Sequence, residues 1–135
     1  MRRLIIVVFI FISSFTTNIF AEVKIGIILG FTGPIETLTP AMAASAEVAF
    51  KEASDSGSLL GGEKISVVRA DSTCVDSAVA TAVAEGVVAQ GVVAIMGADC
   101  PGVTSAIASD VAVPNGVVTV SYTHLRAHET KFDRV

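Results

Sequence analysis

Basic residues are scarce in the body of this sequence. Between residues 22 and 120 there are 11 acidic and 4 basic side chains, a net charge of −7. Proteins that bind nucleic acid need a basic surface, because their affinity depends on neutralising phosphates. The sequence therefore predicts that nucleic acid is not a partner. The acidic balance is ordinary for a soluble secreted protein.

Common catalytic and nucleotide-binding motifs are also missing. Gly26, Gly30 and Gly33 are spaced G-x-x-x-G-x-x-G, whereas a dinucleotide fold needs G-x-G-x-x-G for its backbone to approach a pyrophosphate. The sequence contains neither a G-x-S-x-G nor an H-E-x-x-H arrangement. We therefore expect no enzyme activity, no catalytic residues and no cofactor. Asp71 and Asp99 are either a carboxylate pair at the edge of a sheet or two solvated loop residues, and the second interpretation is the simpler.

The longest uninterrupted apolar run lies near the amino terminus. Arg2 and Arg3 precede the nine apolar residues 4–12, a polar stretch follows, and Ala21 is a residue suited to precede a cleavage site. The alternative is an uncleaved anchor, but crossing a bilayer takes about 20 predominantly apolar residues. The pattern predicts a signal peptide at residues 1–21 and a periplasmic location.

Strand and helix patterns alternate after residue 21. Apolar runs at 22–30, 65–71, 91–97 and 116–120 predict four strands. Helices are expected from Thr39, as N-cap before Pro40, to Ser54; at 79–89 with Asp76 as N-cap; and at 103–112. The alternation predicts an α/β fold, a right-handed, doubly wound and mostly parallel sheet.

The two cysteines, Cys74 and Cys100, follow the second and third predicted strands. If the carboxyl ends of these strands lie side by side, the two thiols can reach each other, and an exported chain is where such a pair oxidises. We therefore expect a disulfide, with Cα atoms about 4.4 to 6.8 Å apart. The same edge of an open parallel sheet is where such folds bind ligands.

Composition changes abruptly at the carboxyl terminus. Residues 121–135 contain five of the 22 charged residues and both histidines. The stretch "SYTHLRAHET" resembles a peptide translated from sequencing-adapter DNA, and the alternative is a native polar tail. His124 and His128 could share one helix face, but a zinc site needs at least a third ligand and a supporting second shell. We expect no metal site, and no continuation of the sheet in residues 122–135.

A family resemblance is carried by three stretches in order, "VKIGIILGFTGP", "GSLLGGEKISVVRADSTC" and "GVVAIMGADCPGVTSAIA". With the predicted signal peptide, residues 22–121 resemble the amino-terminal lobe of a type I periplasmic binding protein. The nearest branch is the Leu/Ile/Val-binding family of ABC importers. The disulfide of that family matches Cys74 and Cys100.

The resemblance implies a ligand and a partner. Members of this family trap an amino acid between two lobes and deliver it to a membrane permease, usually as monomers. The matching ligand residues are Leu38, where some members place a tyrosine, and the loop Pro101, Gly102, Val103 and Thr104. Pro101 stands where a serine hydroxyl is common. A second ligand loop should follow Ser121.

The function has two alternatives. One is a receptor domain that senses an extracellular ligand on the same fold, and the other is an exported α/β hydrolase. Because a second lobe and a second ligand loop are missing, we expect the 135-residue chain to bind no amino acid at micromolar concentration. The complete natural protein should bind a small amino acid.

Overall fold

The computed structural model describes residues 22–58 and 62–121, and the structural statements below concern these residues. The predicted signal peptide at 1–21 and the tail at 122–135, with both histidines, lie outside them. Four strands form one parallel sheet in the order β2-β1-β3-β4. The strands are β1 (Glu22–Leu29), β2 (Lys64–Asp71), β3 (Ala94–Gly97) and β4 (Val118–Val120). The predicted α/β fold is confirmed.

Helices cover both faces of the sheet. They are α1 (Thr39–Asp55), α2 (Ser77–Val88) and α3 (Pro101–Ala106), and α3 continues as a π-helix (Ile107–Ala112). None of the helices in the described part of the chain is long and apolar enough to cross a membrane.

The core is divided by β1, whose side chains alternate between the two faces. Ile27 and Leu29 are fully buried against α1, on what we call the first face. Ile28 is fully buried on the second face, in a cluster with α2 and α3. Because both faces are covered, β1 is an almost continuous apolar run, as expected of a central parallel strand.

The helix starts agree with the sequence in one case and differ in another. The Asp76 side chain accepts hydrogen bonds from the Ala78 and Val79 N–H groups, which confirms it as the N-cap of α2. The prediction that Thr39 caps α1 was wrong, because Leu38 occupies the N-cap position. The Thr39 hydroxyl instead donates to the Gly30 carbonyl at 3.0 Å and ties the start of α1 to the end of β1.

Two strands begin later than the sequence predicts. The third was expected from Gly91 and begins at Ala94, and the fourth was expected from Gly116 and begins at Val118. Both glycines adopt a positive φ, 81° at Gly91 and 66° at Gly116. They form the turns before the strands rather than their first residues.

The order of the strands corrects one further expectation. The carboxyl ends of β2 and β3 do not lie side by side, because β1 lies between them. The chain forms β2 on one side of β1 and then crosses to form β3 on the other side. The two cysteines must therefore meet across the end of β1.

Candidate functional site

The strand order reverses between β1 and β3. After β1 the chain continues to α1 on the first face, and after β3 it continues to α3 on the second face. In open parallel sheets, loops that diverge in this way leave a crevice at the carboxyl ends of the strands, and ligands bind there. We call the loops 30–38 and 98–104 together the switch-point site.

Asp99 connects the two loops of the switch-point site. Its carboxylate accepts the Gly30 N–H through both oxygens, at 3.2 and 2.9 Å. Hydrogen bonds to an ionised group are stronger than neutral ones, so this contact is a firm link between the ends of β1 and β3. The expectation that Asp99 is only a solvated loop residue was wrong. Its position two residues after β3 indicated the edge of the sheet but not its hydrogen-bond partner.

The predicted disulfide is present and lies over the end of β1. Cys74 and Cys100 are bonded, and their Cα atoms are 5.4 Å apart, within the expected range. A Cβ atom built at Gly30 would lie 3.0 Å from the Cys74 Cβ. A glycine at the end of β1 therefore leaves room for the bridge to pass.

Asp71 organises the loop that carries Cys74. Its carboxylate accepts the Thr32 hydroxyl at 2.6 Å and the Thr73 N–H at 2.8 Å. Burial alone would raise the pKa of Asp71, but the hydrogen bonds from Thr32, Thr73 and Phe31 outweigh it and lower the pKa below its ordinary value. Asp71 and Asp99 thus bind separate backbone groups, and the carboxylate-pair interpretation finds no support in these contacts.

The lowered pKa of Asp71 predicts a pH-dependent contribution to stability. A carboxyl whose folded pKa is depressed stabilises the protein above its unfolded pKa of about 3.9 and loses that contribution as pH falls through the folded pKa. Asp71→Asn should therefore reduce the difference in urea midpoint between pH 7 and the acid range. The matched control is Asp110→Asn on the π-helix, whose carboxylate accepts only the neighbouring Ser109 hydroxyl among the described contacts. Equal pH dependence in Asp71→Asn and in the unsubstituted protein would contradict the prediction.

The residues matched to the family's ligand loop form the start of α3. Pro101 and Gly102 are exposed, whereas Val103 and Thr104 are buried, at 2% and 4% exposure. The first hydrogen bond of the helix runs from the Thr104 N–H to the Cys100 carbonyl at 2.9 Å. The Gly102 and Val103 N–H groups precede it and have no partner within the helix.

The Thr104 hydroxyl has a structural contact as well. It lies 2.9 Å from the Ala98 carbonyl and 2.8 Å from the Cys100 carbonyl, and its proton is shared between them. The oxygen of this hydroxyl keeps its lone pairs as acceptors. The Ser121 hydroxyl donates to the same Ala98 carbonyl, which brings the end of β4 to the switch-point site. The sequence analysis used Ser121 only as the boundary before the second ligand loop and did not predict this contact.

Leu38 lies at the other loop of the switch-point site. It is 61% exposed and directly precedes α1. The structure thus places Leu38 after β1 and residues 101–104 after β3, on the two loops that diverge. The second ligand loop, expected after Ser121, lies outside the described residues.

Comparison with known proteins identifies the family. The profile of the periplasmic binding protein family matches residues 22–134. The chain belongs to the periplasmic binding protein family. The match continues past Ser121, where the resemblance was expected to end within an incomplete lobe, and the origin of the tail stays a prediction.

Solved structures agree with the family. The substrate-binding protein LivJ of a branched-chain amino acid transporter from Streptococcus pneumoniae, in complex with isoleucine, is 28% identical with a TM-score of 0.66, over 75% of this chain and 28% of that one. The leucine-binding protein LivK from Thermotoga maritima is 27% identical with a TM-score of 0.55, over 73% and 27% of the two chains. The resemblance to type I periplasmic binding proteins is therefore confirmed.

A third structure supports the fold alone. The extracellular ligand-binding receptor from Verminephrobacter eiseniae is 17% identical with a TM-score of 0.70, over 82% of this chain and 31% of that one. No curated protein matches the chain. The chain thus spans between 27% and 31% of the length of these three structures.

Proposed function

We propose that this chain supplies the amino-terminal lobe of the substrate-binding component of an ABC importer. The component would capture an amino acid, branched-chain or similar, in the periplasm and deliver it to an inner-membrane permease. The observation that carries the proposal is the match to the periplasmic binding protein family together with the 28% identity to LivJ, which was solved with isoleucine. The switch-point site lies where this fold binds ligands.

The amino-acid carboxylate would bind at the start of α3. The N–H groups of Gly102 and Val103 are the donors, and the helix dipole favours negative charge at this end. The π-helix at 107–112 directly follows α3 at 101–106. The two N–H donors therefore lie at the amino-terminal end of a longer helical segment. Pro101 has no N–H to offer, but its fixed φ suits the first turn of a helix.

Two further groups of the switch-point site could contact the ammonium group and the side chain of the amino acid. The Thr104 oxygen can accept a hydrogen bond from the ligand's ammonium, because its own proton is already donated to carbonyls. Exposed Leu38 offers apolar contact to the ligand from the opposite loop. These groups would bind and orient the ligand. The hydroxyl of Thr104 donates to two carbonyls rather than to a general base that could activate it, so we propose a binding protein rather than an enzyme.

The remaining parts of the proposal follow from the family. Residues 1–21 would be a signal peptide, residues 22–121 the incomplete lobe, and the protein a monomer whose macromolecular partner is the permease. No metal or other cofactor is required for this function. The net negative charge of residues 22–120 is the reason that nucleic acid is not proposed as a partner.

The experiment is calorimetric titration of the protein encoded by the complete natural gene with leucine, isoleucine, valine and a wider panel of amino acids. Thr104→Val, which removes the acceptor but keeps the shape, should weaken binding by about tenfold or more, because a hydrogen bond to a charged group contributes about 1.5 to 3 kcal/mol. The matched control is Thr81→Val on α2, whose hydroxyl bonds only to the Ser77 and Ala78 carbonyls of its own helix.

The titration also tests whether one lobe is enough to bind the ligand. The 135-residue chain should show no binding at micromolar concentration, because a ligand held between two lobes loses much of its burial when one is missing. Binding by this chain would contradict the two-lobe argument. If the complete protein binds none of the amino acids in the panel, the proposal that its ligand is an amino acid is contradicted.

A further inference from the structure

We propose that the reduced form of this protein binds a thiophilic divalent cation, Zn²⁺ or Cd²⁺, through Cys74, Asp99 and Cys100. The ligand atoms of these three residues all lie within 4.8 Å of one another, and all three residues are half-buried. Thiolates select soft cations such as these. The site does not depend on the proposed transport function, because none of its three ligands contacts the amino acid in that proposal.

The spacing of the cysteines fits a metal as well as a disulfide. Zinc–thiolate bonds are about 2.3 Å long, so two thiolates on one tetrahedral ion lie about 3.8 Å apart. The Cα atoms of Cys74 and Cys100 are 5.4 Å apart, and rotation about the Cα–Cβ bonds can bring the sulfurs to that separation.

The third ligand is already oriented. The Asp99 carboxylate accepts the Gly30 N–H, and ligating carboxylates are typically held by such a second hydrogen bond. The loop that carries Cys74 is held by the Asp71 carboxylate through the Thr73 N–H. Both contacts are independent of the S–S bond, so the three ligands should stay close together after reduction. Three protein ligands leave the fourth position of the cation to water.

The chemistry balances with a phosphine as the reductant. Two electrons from phosphorus cleave the S–S bond, water supplies the protons of the two thiols, and the oxygen of that water ends on the phosphine oxide. The cation then displaces both thiol protons and forms two metal–sulfur bonds, so binding releases two protons. The cation would close the same loop, of sequence separation 26, that the disulfide closes in the oxidised protein.

The test uses the 135-residue protein, reduced with a phosphine under anaerobic conditions and titrated with Cd²⁺. We expect one Cd²⁺ per chain, seen by the charge-transfer absorption of cadmium–thiolate bonds. Asp99→Asn keeps an oxygen for the Gly30 N–H but is a poor ligand, and it should weaken affinity by about tenfold or more. The matched control is Glu85→Gln, an exposed carboxylate on α2 with no hydrogen bond among the described residues, which should leave affinity unchanged.

The oxidised protein controls for every other ligand, including His124 and His128, because only the two thiolates are lost on oxidation. Cadmium binding of equal affinity before and after reduction would overturn the proposal, and so would an affinity of Asp99→Asn equal to that of the unsubstituted protein. X-ray absorption of the zinc-loaded, reduced protein decides the ligand set without any variant. Two sulfurs with oxygen ligands would support the site, whereas four sulfurs or bound imidazole would overturn it.

Discussion

Gly97→Ala is expected to lower the free energy of unfolding by about 3 kcal/mol or more. Gly97 ends β3 opposite Ile28 of β1, and its φ is +126°, a conformation that residues with a side chain rarely adopt. A Cβ atom built here would lie 1.8 Å from the Ile28 carbonyl oxygen. Because the obstacle is backbone of the central strand, no side chain can move aside to relieve the clash.

The matched control for Gly97→Ala is Gly86→Ala. Gly86 lies within α2, and a Cβ atom built there meets nothing within 4 Å. Alanine is favoured over glycine in a helix by about 0.8 to 1 kcal/mol, so this variant should be more stable than the unsubstituted protein. Urea denaturation followed by far-UV circular dichroism measures both changes. A Gly97→Ala midpoint within error of the unsubstituted protein would mean that β1 and β3 approach less closely than the structure shows.

The sequence predicted the layers of this fold better than it predicted the strand order. Ile27, Ile28 and Leu29 formed one apolar run, which is typical of a strand covered on both faces, and both faces are covered. The order β2-β1-β3 depends on which side of β1 the chain crosses to after α2. No residue in the β2–α2–β3 stretch carries that information by itself, so the expectation that β2 and β3 are neighbours was wrong although the fold class was right.

The candidate site, too, could be predicted from the sequence only in part. The position of Cys74 and Cys100 after apolar runs was enough to predict their bond, because both runs end at one edge of the sheet. The role of Asp99 could not be predicted, since its partner is the main-chain N–H of Gly30, and every residue except proline offers such a group. Likewise Thr39 has the side chain of an N-cap, but its hydroxyl donates to the Gly30 carbonyl at the end of β1 instead.

The Asp99 contact and the disulfide are neighbours at one edge of the sheet. Asp99 links the end of β1 to the end of β3, and the bridge links the loop after β2 to the start of α3. Together they connect three strand ends around the switch-point site. Loss of either one should leave the other in place, because one is a hydrogen bond to Gly30 and the other a covalent bond across it.

Replacing both cysteines, Cys74→Ala with Cys100→Ala, is expected to lower the free energy of unfolding by about 3.5 kcal/mol in the chain-entropy account of cross-links. The bond joins residues separated by 26 positions, and opening it lets the unfolded chain sample many more conformations. Measured losses often fall below the chain-entropy value, because the unfolded chain retains some structure. The loss should therefore be no greater than the chain-entropy value.

Reduction of the unsubstituted protein gives an independent measurement of the same bond. A phosphine reductant, with a chelator present to exclude a bound cation, should shift the urea midpoint of the unsubstituted protein to that of the double variant and should leave the double variant unchanged. Thiol labelling without reductant should modify neither cysteine. Two thiols that react freely in the native, unreduced protein would show that the bridge is not formed, and the stability difference would then have to come from the packing of Cys74 and Cys100 rather than from the closed loop.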